Sequence, residues 1–450
     1  AGPGAPVPVP APDAVTAADA EPPPPLLGTP VAEPPPARLP LVEPGDVNMS
    51  PLMLDRVDNL VWAAVREGVS PGIALAIGRH GKLVRLAGYR RTDWVPSRMG
   101  PGLPDVDLPP YVSDSTLYDL ASLTKVIATT TAAMLLYDDG VLDLDVPVYT
   151  LLPDFARSES RDQITVRHLL THSAGLPAWR PFFAEPLLGK AAHFHRIASI
   201  ALEYEPGTRT VYSDLGMILL HAVVERLSGR PINELLQQRV FGPLGMRDTY
   251  YSPLQGPAPS VLAEYRGAAD EGGSGEPPHT IDLMRIAPTE YDARRERLIH
   301  GYVHDENAFA MGGVAGHAGL FSSARDLAVF AQMMLDRGVY DGRRIIREET
   351  VRHFTQRQSS RSSRALGWDT PAPASSAGDY FSSASFGHTG FTGTSLWIDP
   401  ERDLFVVLLT NRVNPTRENQ RHVPFRRSLH DLVQQAVTDV PIVPRLDSRR

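Results

Sequence analysis

The sequence predicts β-strands near both ends of this chain, and this limits the possible folds more than any other feature. Near the start, apolar residues at helical spacing predict a helix over 51–68, and two short strands follow around a turn at His80-Gly81. Near the end, strands predicted over 394–398 and 404–409 precede a helix over 422–437. Strands from both ends pair most simply as one antiparallel sheet. We therefore expect an α/β (α+β) fold in which helices flank this sheet and the mainly helical middle forms an inserted second lobe.

The first 48 residues differ in composition from the rest. Of the 43 prolines in the chain, 15 fall between Pro3 and Pro44, among Ala, Val and Glu. Such a segment offers no side chains for a packed core, and it is typical of an extended, disordered linker. We expect a linker over 1–48, one domain over 49–440 and a short tail over 441–450.

Charge and composition exclude several functions. Lys and Arg number 44 against 52 for Asp and Glu, so the formal net charge is −8, which disfavours a nucleic-acid partner. The chain has no cysteine, which excludes disulfides, thiolate catalysis and cysteine-ligated zinc. No apolar run reaches the ~20 residues that a membrane helix needs. We expect no transmembrane segment, no cofactor and no metal.

The printed sequence starts with Ala1-Gly2-Pro3-Gly4, without a methionine or an apolar leader. A mature exported protein has this appearance after its signal peptide is removed, and so does a trimmed chain. The proline-rich segment resembles the spacers of exported bacterial proteins. We expect a periplasmic or secreted protein.

The strongest local motif is Ala121-Ser122-Leu123-Thr124-Lys125, followed by an apolar helix that runs to Gly140. Residues three apart lie on one face of a helix, so Lys125 points toward the Ser122 hydroxyl. A serine hydroxyl needs an adjacent base to act as a nucleophile, and a desolvated lysine can serve. Taken alone, the motif is short, and Ser122 could equally be a helix-capping residue.

A second motif, Tyr212-Ser213-Asp214, precedes an apolar helical run. Alternation along an extended segment puts Tyr212 and Asp214 on the same side. A tyrosine near a lysine can carry a proton between a nucleophile and a leaving group. The alternative is structural: Ser213 or Asp214 caps the next helix, and Tyr212 belongs to the core.

The third motif is the glycine-rich run from Gly387 to Gly393, which leads into a predicted strand. Glycines in such a position indicate that the backbone approaches a ligand or another segment closely. A strand at the edge of the sheet could lend a backbone N–H to an oxyanion hole. His388 could instead be a buried structural histidine.

The three motifs, in the order Ser-x-x-Lys, Tyr-x-Asp/Asn and Lys/His-Thr-Gly, resemble the penicillin-recognising serine hydrolases. This superfamily contains class C β-lactamases, D-alanyl-D-alanine peptidases and related esterases and amidases. The resemblance extends over about 49–440 and includes the loop 169–177 and the segment 312–322. It implies a β-lactamase/transpeptidase-like fold. The segments 286–290 and 303–308 resemble those of cell-wall-associated members.

The resemblance also implies a role for each site residue. Ser122 becomes the acylated nucleophile, Lys125 its base or proton relay, and Tyr212 the residue that assists this base and protonates the leaving group. The third-motif residues His388, Thr389 and Gly390 line the strand side of the cleft, beside Asp214 on the other side. The backbone N–H groups of Ser122 and Phe391 form the oxyanion hole.

This chain departs from the class C pattern in two places. His388 stands where those enzymes have lysine, and a histidine that is mostly neutral at pH 7 is a weak receptor for a substrate carboxylate. Asp214 stands where asparagine is commoner, and a carboxylate beside Lys125 would hold the lysine protonated. That arrangement gives Tyr212 more of the base role and makes efficient β-lactam turnover less expected.

We therefore predict a serine hydrolase that acts through an acyl-enzyme on amide or ester bonds of peptidoglycan-derived peptides, as a carboxypeptidase or a muropeptide amidase does. A carboxylesterase, a class C-like β-lactamase and a non-catalytic penicillin-binding module are the alternatives. His304, Asp305, Glu306 and His317 could suggest a metal site, but no helix-spaced pair of ligands supports one. We expect these residues to line the cleft or to brace the interface between the lobes.

Overall fold

The computed structural model describes residues 36–94, 109–186, 189–251 and 282–445. Its α-helices within these ranges are α1 (Pro51–Arg66), α2 (Thr131–Asp138), α3 (Val148–Leu151), α4 (Val166–Leu170), α5 (Gly189–Ala198), α6 (Asp214–Ser228), α7 (Ile232–Leu236), α8 (Glu306–Ala310), α9 (Ala324–Leu335), α10 (Glu348–Thr355) and α11 (His422–Gln435). Short 3-10 or π-helical turns adjoin several of these helices. The most important of them covers Ala121–Leu123 and continues through the π-helical turn Lys125–Thr130 into α2.

The strands of the described residues are β1 (Gly72–Arg79), β2 (Lys82–Arg90), β3 (Tyr118–Asp119), β4 (Tyr250–Tyr251), β5 (Tyr291–Asp292), β6 (Arg297–Leu298), β7 (Leu320–Ser322), β8 (Val339–Tyr340), β9 (Arg343–Arg344), β10 (Phe386–Thr389), β11 (Ser395–Asp399) and β12 (Leu404–Thr410). The main sheet has five antiparallel strands in the order β10-β11-β12-β1-β2. This order confirms the predicted sheet, because β1 and β2 come from one end of the chain and β10 to β12 come from the other.

Strand β1 is buried along its whole length because helices cover both faces of the sheet. Ile73, Leu75 and Ile77 point to the face covered by α1 and α11, while Ala74 and Ala76 point toward α9 and the helical lobe. This is the alternation expected of a strand between two apolar layers. The small alanine side chains let α9 pack closely against the sheet.

The middle of the chain forms the helical lobe. Helix α6 is buried over most of its length and packs against α2, α4 and α5. Its core is continuous with the α9 face of the sheet, so the two lobes share one large apolar cluster. The lobe is therefore firmly joined to the sheet, as the predicted insertion requires.

The packed body begins earlier than the expected boundary at residue 49. Within the expected linker, Leu41 forms a β-bridge with Leu83, and Val47 is buried. The buried guanidinium of Arg79 donates to the carbonyl oxygens of Val47 and Asn48 at 2.8 and 2.9 Å. Packing here uses both the few apolar side chains of the segment, Leu39, Val42 and Val47, and its backbone carbonyls. Residues 1–35 of the expected linker lie outside the described residues.

The start of the expected tail also contacts the body. Arg445 donates its backbone N–H to the carbonyl of Asp379 at 2.8 Å, and Ile442 packs against the cluster under α1 and α11. Residues 446–450 lie outside the described part. Among the described residues, none of the helices has the length and apolar character needed to cross a membrane.

Candidate active site

Ser122 lies in a short turn between β3 and α2 whose geometry depends on Asp119. The buried Asp119 carboxylate accepts the Ala121 N–H at 2.8 Å and the His304 N–H at 2.6 Å. These bonds hold Ala121 at φ = 46°, in the left-handed region that L-residues rarely adopt. Strain of this kind is found at functional sites, where the surrounding structure enforces it. The turn presents Ser122 to the cleft and directs Lys125 beneath it.

Lys125 is fully buried and makes three hydrogen bonds. Its Nζ lies 2.8 Å from Ser122 Oγ, 3.1 Å from the His317 carbonyl oxygen and 2.8 Å from Asp214 Oδ1. An ammonium group has three N–H donors, so these three acceptors satisfy it completely. The structure therefore brings Ser122, Lys125 and Asp214 together, as the motifs predicted.

The charge state of Lys125 follows from its surroundings. Burial acts to lower the pKa of this ammonium, but the charge and hydrogen bond of Asp214, together with the contribution of Tyr212, outweigh burial. The pKa of Lys125 is consequently raised above its ordinary value, and the group is a cation throughout the neutral range. In this state Lys125 donates to Ser122 and has no lone pair with which to accept the serine proton.

Tyr212 lies beside Lys125. Two cationic side chains and two histidine rings surround the Tyr212 ring. Lys125 Nζ is 4.9 Å and the Arg364 guanidinium carbon 5.0 Å from the ring centroid. The rings of His172 and His388 lie at 4.7 and 5.7 Å. The Tyr212 hydroxyl is buried and makes no hydrogen bond within the described part of the chain. A proton carrier with an uncommitted oxygen is suited to transfer between partners that change during a reaction.

The capping alternative for the second motif applies to Ser213 and not to Asp214. Ser213 Oγ accepts the Gly216 N–H at 3.2 Å and donates to the Pro177 carbonyl at 2.6 Å, so Ser213 is the N-cap of α6. Asp214 occupies the first turn, where its carboxylate is free to pair with Lys125. The two residues therefore divide the structural and electrostatic roles that the sequence left open.

His388 lies in β10 and is buried. Its Nδ1 lies 2.8 Å from the Thr389 carbonyl oxygen and donates to it, which leaves Nε2 as an acceptor without a partner among the described residues. Burial, followed by the charges of Arg364 and Lys125, lowers the pKa of His388 well below its ordinary value. His388 is therefore neutral, as we expected, and the third motif supplies no fixed cation.

Gly390 allows the third motif to approach the Ser122 turn. A Cβ atom at this position would lie 2.1 Å from Thr394 Oγ1 and 2.4 Å from the Leu120 carbonyl oxygen. Thr394 Oγ1 donates to the same carbonyl at 3.0 Å, and Thr392 Oγ1 donates to the Asp119 carbonyl at 2.7 Å. The glycine is required here by close backbone approach, which was the sequence-based interpretation of this run.

Phe391 follows Gly390 and lies at the mouth of the cleft, with 47% of its surface exposed. Its ring stacks on His304 at 5.7 Å, and the Arg412 guanidinium carbon lies 4.5 Å from its centroid. Arg412 Nε also donates to the Phe391 carbonyl at 2.8 Å. These contacts fix the backbone of Phe391 beside the Ser122 turn.

A cleft of about 330 Å³ opens above Ser122, between the two lobes. The residues that line it are Ala121, Ser122, Ala178, Trp179, Tyr212, Asp214, His304, Asp305, Glu306, His317, Ala318, Phe391 and Arg417. This volume is at the lower end of the range for small-molecule sites. The four residues considered for a metal site all lie in this lining, as the cleft-lining interpretation predicted.

Acidic side chains of the cleft are already paired. Burial opposes ionisation of Glu290, but hydrogen bonds from His304 and Arg417 lower the pKa of Glu290 to about 2. Arg417 also contacts Glu306 at 2.8 Å. Asp305 pairs with His317 Nε2 at 2.8 Å.

One group of side chains has the spacing of a metal site. Ligand atoms of Asp214, Asp305 and His317 lie within 4.8 Å of one another. However, Asp214 already contacts the Lys125 ammonium, and Asp305 already contacts His317. The Lys125 ammonium balances negative charge of the two neighbouring carboxylates. These contacts therefore account for the cluster of Asp214, Asp305 and His317 without a metal.

Comparison with known proteins places this site in a family. A family model described as "Beta-lactamase" matches residues 57–431, which includes all three motifs. The chain belongs to the beta-lactamase family. Members of this family in the comparisons carry the names of amidases, carboxypeptidases and other hydrolases, and this chain is a serine hydrolase of the same kind.

Two curated relatives are similar over most of the chain. An N-acetylmuramyl-L-alanine amidase of Bacillus subtilis (strain 168) is 33% identical over 393 residues, covering 83% of this chain and 85% of the relative. A protein of Escherichia coli (strain K12), provisionally named D-alanyl-D-alanine carboxypeptidase, is 32% identical over 388 residues, covering 82% of this chain and 85% of the relative. These two proteins are similar over the whole beta-lactamase-type body.

Solved structures agree on the fold. A penicillin-binding protein homologue from Caulobacter crescentus has a TM-score of 0.61 at 19% identity, covering 86% of this chain and 98% of that one. A beta-lactamase/D-alanine carboxypeptidase from Pseudomonas syringae has a TM-score of 0.60 at 21% identity, covering 84% and 99%. The beta-lactamase-type antiparallel sheet with its helical lobe is therefore the fold of this protein.

Several residues of the site were not found from the sequence. Asp119 and the strained Ala121 hold the Ser122 turn, but no short motif marks a positive φ at an alanine. Arg364 and Arg417 come from irregular segments far from the three motifs, and Trp179 lies just beyond the loop 169–177. For Trp179, its position next to that loop was the one available signal.

Proposed function

We propose that this protein is an acyl-enzyme hydrolase in which Ser122 is the nucleophile, acting on amide or ester bonds of peptidoglycan-derived peptides. The observation that carries the proposal is the buried contact network of Ser122, Lys125 and Asp214, with Tyr212 beside it. A fully buried lysine that bonds to a serine in a cleft is costly to maintain, and such groups are concentrated at functional sites.

Tyr212 carries the proton in this mechanism. As Ser122 Oγ bonds to the substrate carbonyl carbon, the serine proton passes to the Tyr212 oxygen while the Tyr212 hydroxyl proton passes to the leaving nitrogen or oxygen, whose bond to the carbonyl carbon breaks. Lys125 remains an ammonium and stabilises negative charge on Ser122 Oγ and Tyr212. Water then attacks the acyl-enzyme: a water proton passes to the Tyr212 oxygen while the Tyr212 hydroxyl proton passes to Ser122 Oγ as the ester bond breaks.

The oxyanion hole in this proposal consists of the backbone N–H groups of Ser122 and Phe391. Two features support it: the Asp119-anchored turn at Ser122, and the close approach of β10 that Gly390 permits. Donors that are fixed before the reaction stabilise the tetrahedral intermediate without reorganisation. Thr389 lies at the end of β10, and in this proposal it contacts the substrate from the strand side.

Peptidoglycan fragments are the proposed substrates for two reasons. The names of the two curated relatives both refer to bonds of the cell wall, in an amidase and in a carboxypeptidase. In addition, His388 is neutral, so the third motif offers little attraction to the carboxylate of a β-lactam. The cell wall lies outside the cytoplasmic membrane, which supports our proposal that the protein is exported.

The decisive experiment combines active-site labelling with turnover. A fluorophosphonate probe should add to the wild-type protein once, and peptide mapping should find the adduct on Ser122. Ser122→Ala should lose both labelling and hydrolysis of a defined set of muropeptides while it keeps the wild-type melting temperature. Ser199→Ala, which changes a surface serine that bonds only to the Arg196 carbonyl, is the matched control.

Two results would contradict the proposal. Near-wild-type turnover by Ser122→Ala would remove this residue as the nucleophile. Absence of labelling and of turnover in the folded wild-type protein would instead favour a non-catalytic binding module. If simple esters are hydrolysed and muropeptides are not, the mechanism stands and small esters replace muropeptides as the proposed substrate class.

A further inference from the structure

Because His388 is neutral, the third motif supplies no positive charge to the active site. A cation in the third motif would stabilise negative charge on the neighbouring Tyr212, and His388 does not supply it. Its ring nevertheless lies 5.7 Å from the Tyr212 ring, so the position beside Tyr212 is retained while the charge is lost. A second positive group besides Lys125 does lie beside Tyr212.

Arg364 is that group. Its guanidinium carbon lies 5.0 Å from the Tyr212 ring centroid, almost the same distance as Lys125 Nζ. Within the described part of the chain, the Arg364 guanidinium has no ion pair and no side-chain hydrogen bond. Most other arginines near the cleft are engaged: Arg417 binds Glu290 and Glu306, and Arg412 binds backbone carbonyls.

We propose that Arg364 is a positioning residue that replaces the missing third-motif cation and stabilises the charge on Tyr212 during proton transfer. A guanidinium keeps its charge at every pH of interest and stacks well on an aromatic ring. Lys125, by contrast, is partly neutralised by Asp214, so Arg364 is the stronger uncompensated charge at Tyr212. The proposal rests on the proton-carrying role of Tyr212 proposed above.

The other groups that face Tyr212 do not compete for this role. Burial, followed by the charge of Arg364, lowers the pKa of both His172 and His388, so both rings are neutral. His172 Nδ1 accepts the Ser213 N–H at 3.1 Å, which fixes its tautomer. Asp214 carries a negative charge, and its carboxylate pairs with the Lys125 ammonium.

The test compares Arg364→Lys and Arg364→Gln with the wild type, using a p-nitrophenyl ester that carries no carboxylate. Arg364→Gln should lower kcat by about tenfold, leave KM within twofold and move the acid limb of the pH profile upward by about one unit. Arg364→Lys keeps the charge and should recover most of kcat and the wild-type profile. Arg157→Gln, which removes a guanidinium from the face of the remote Tyr149, should change neither.

Three outcomes would overturn the proposal. Equal losses in the Lys and Gln variants with an unmoved profile would mean that Arg364 is structural. A rise in KM confined to substrates with a carboxylate would mean that Arg364 binds substrate. Unchanged kinetics in both variants would remove any role. If Arg364→Gln does not fold, Arg364→Met takes its place with the same predicted profile.

Failure of the underlying mechanism has its own signature. If Tyr212→Phe retains wild-type kcat in an enzyme whose Ser122 is labelled normally, the role of Tyr212 is wrong, whatever Arg364 does. If Ser122 is not labelled at all, the proposed function fails. The two failures are therefore distinguishable from a failure of Arg364 alone.

Discussion

Replacement of Asp214 by asparagine removes one charge from the cleft and leaves the side-chain shape almost unchanged. In the wild-type protein, Asp214 Oδ1 lies 2.8 Å from Lys125 Nζ, and the lysine side chain is fully buried. Two unit charges at this distance attract by about 6 kcal/mol at an effective dielectric constant near 20. Without this attraction, burial is opposed only by the contribution of Tyr212, so we expect the pKa of Lys125 to fall below its ordinary value.

The two proteins should therefore respond differently to pH. In the wild type, the raised pKa of Lys125 contributes stability that is complete at neutral pH and is lost only as the pH rises through its folded-state value, in the strongly alkaline range. In the variant, the unfolded chain binds a proton that the folded state lacks. Its free energy of unfolding should consequently increase between about pH 6 and pH 9. At pH 7 we expect a deficit of about 3 kcal/mol relative to the wild type.

The assay is urea unfolding of both proteins at four pH values from 6 to 9, with the pH profile of kcat/KM measured on the same samples. The acid limb of the kcat/KM profile should be displaced in the variant, because the lysine–tyrosine pair then releases its proton at a different pH. Glu203→Gln breaks a surface pair with Arg180 and should cost less than about 1 kcal/mol at every pH. Since Ser213 provides the cap of α6, loss of a cap cannot account for the effect. A variant whose stability is flat over this range, with an unmoved acid limb, would refute the reasoning.

Three further predictions concern other parts of the molecule. Gly390→Ala should destabilise the fold by about 2 kcal/mol and reduce kcat at least tenfold, because its Cβ would lie 2.1 Å from Thr394 Oγ1; calorimetry and steady-state kinetics check this. A chain that starts at Pro36 should keep wild-type stability, while one that starts at Met49 should lose about 2 kcal/mol in urea unfolding, because two carbonyl acceptors of the buried Arg79 are removed. A chromogenic cephalosporin should be turned over with kcat/KM below ~10⁵ M⁻¹s⁻¹, since the third-motif histidine is neutral, whereas a higher value with inert muropeptides would make the protein a β-lactamase.

The sequence predicted best those features that depend on local periodicity. The spacing of Ser122 and Lys125 along a helix placed the lysine under the serine, and the structure has them 2.8 Å apart. Period-2 strands around the turn at His80-Gly81 and the two C-terminal strands were sufficient to predict the sheet. These predictions succeeded because helix and strand geometry determine which side chains share a face.

The features that were missed depend on tertiary contacts without a local pattern. Arg364 reaches Tyr212 from an irregular segment, and only the fold brings the two together. The packing of residues 36–48 was missed because a few apolar residues among prolines form no periodic pattern, and carbonyls that accept from Arg79 leave no trace in composition.

The pairing of β1 with β12 also determines when the site can exist. Ile73 pairs with Thr410, roughly 340 residues later, and β10 joins the sheet only through β11 and β12. During synthesis, the Ser122 turn leaves the ribosome long before the strands that complete its cleft. Such long-range pairing is slow and closes late in folding. A nascent or truncated chain that lacks β10 to β12 thus has the nucleophile without the strand side of its cleft, and we expect it to be inactive.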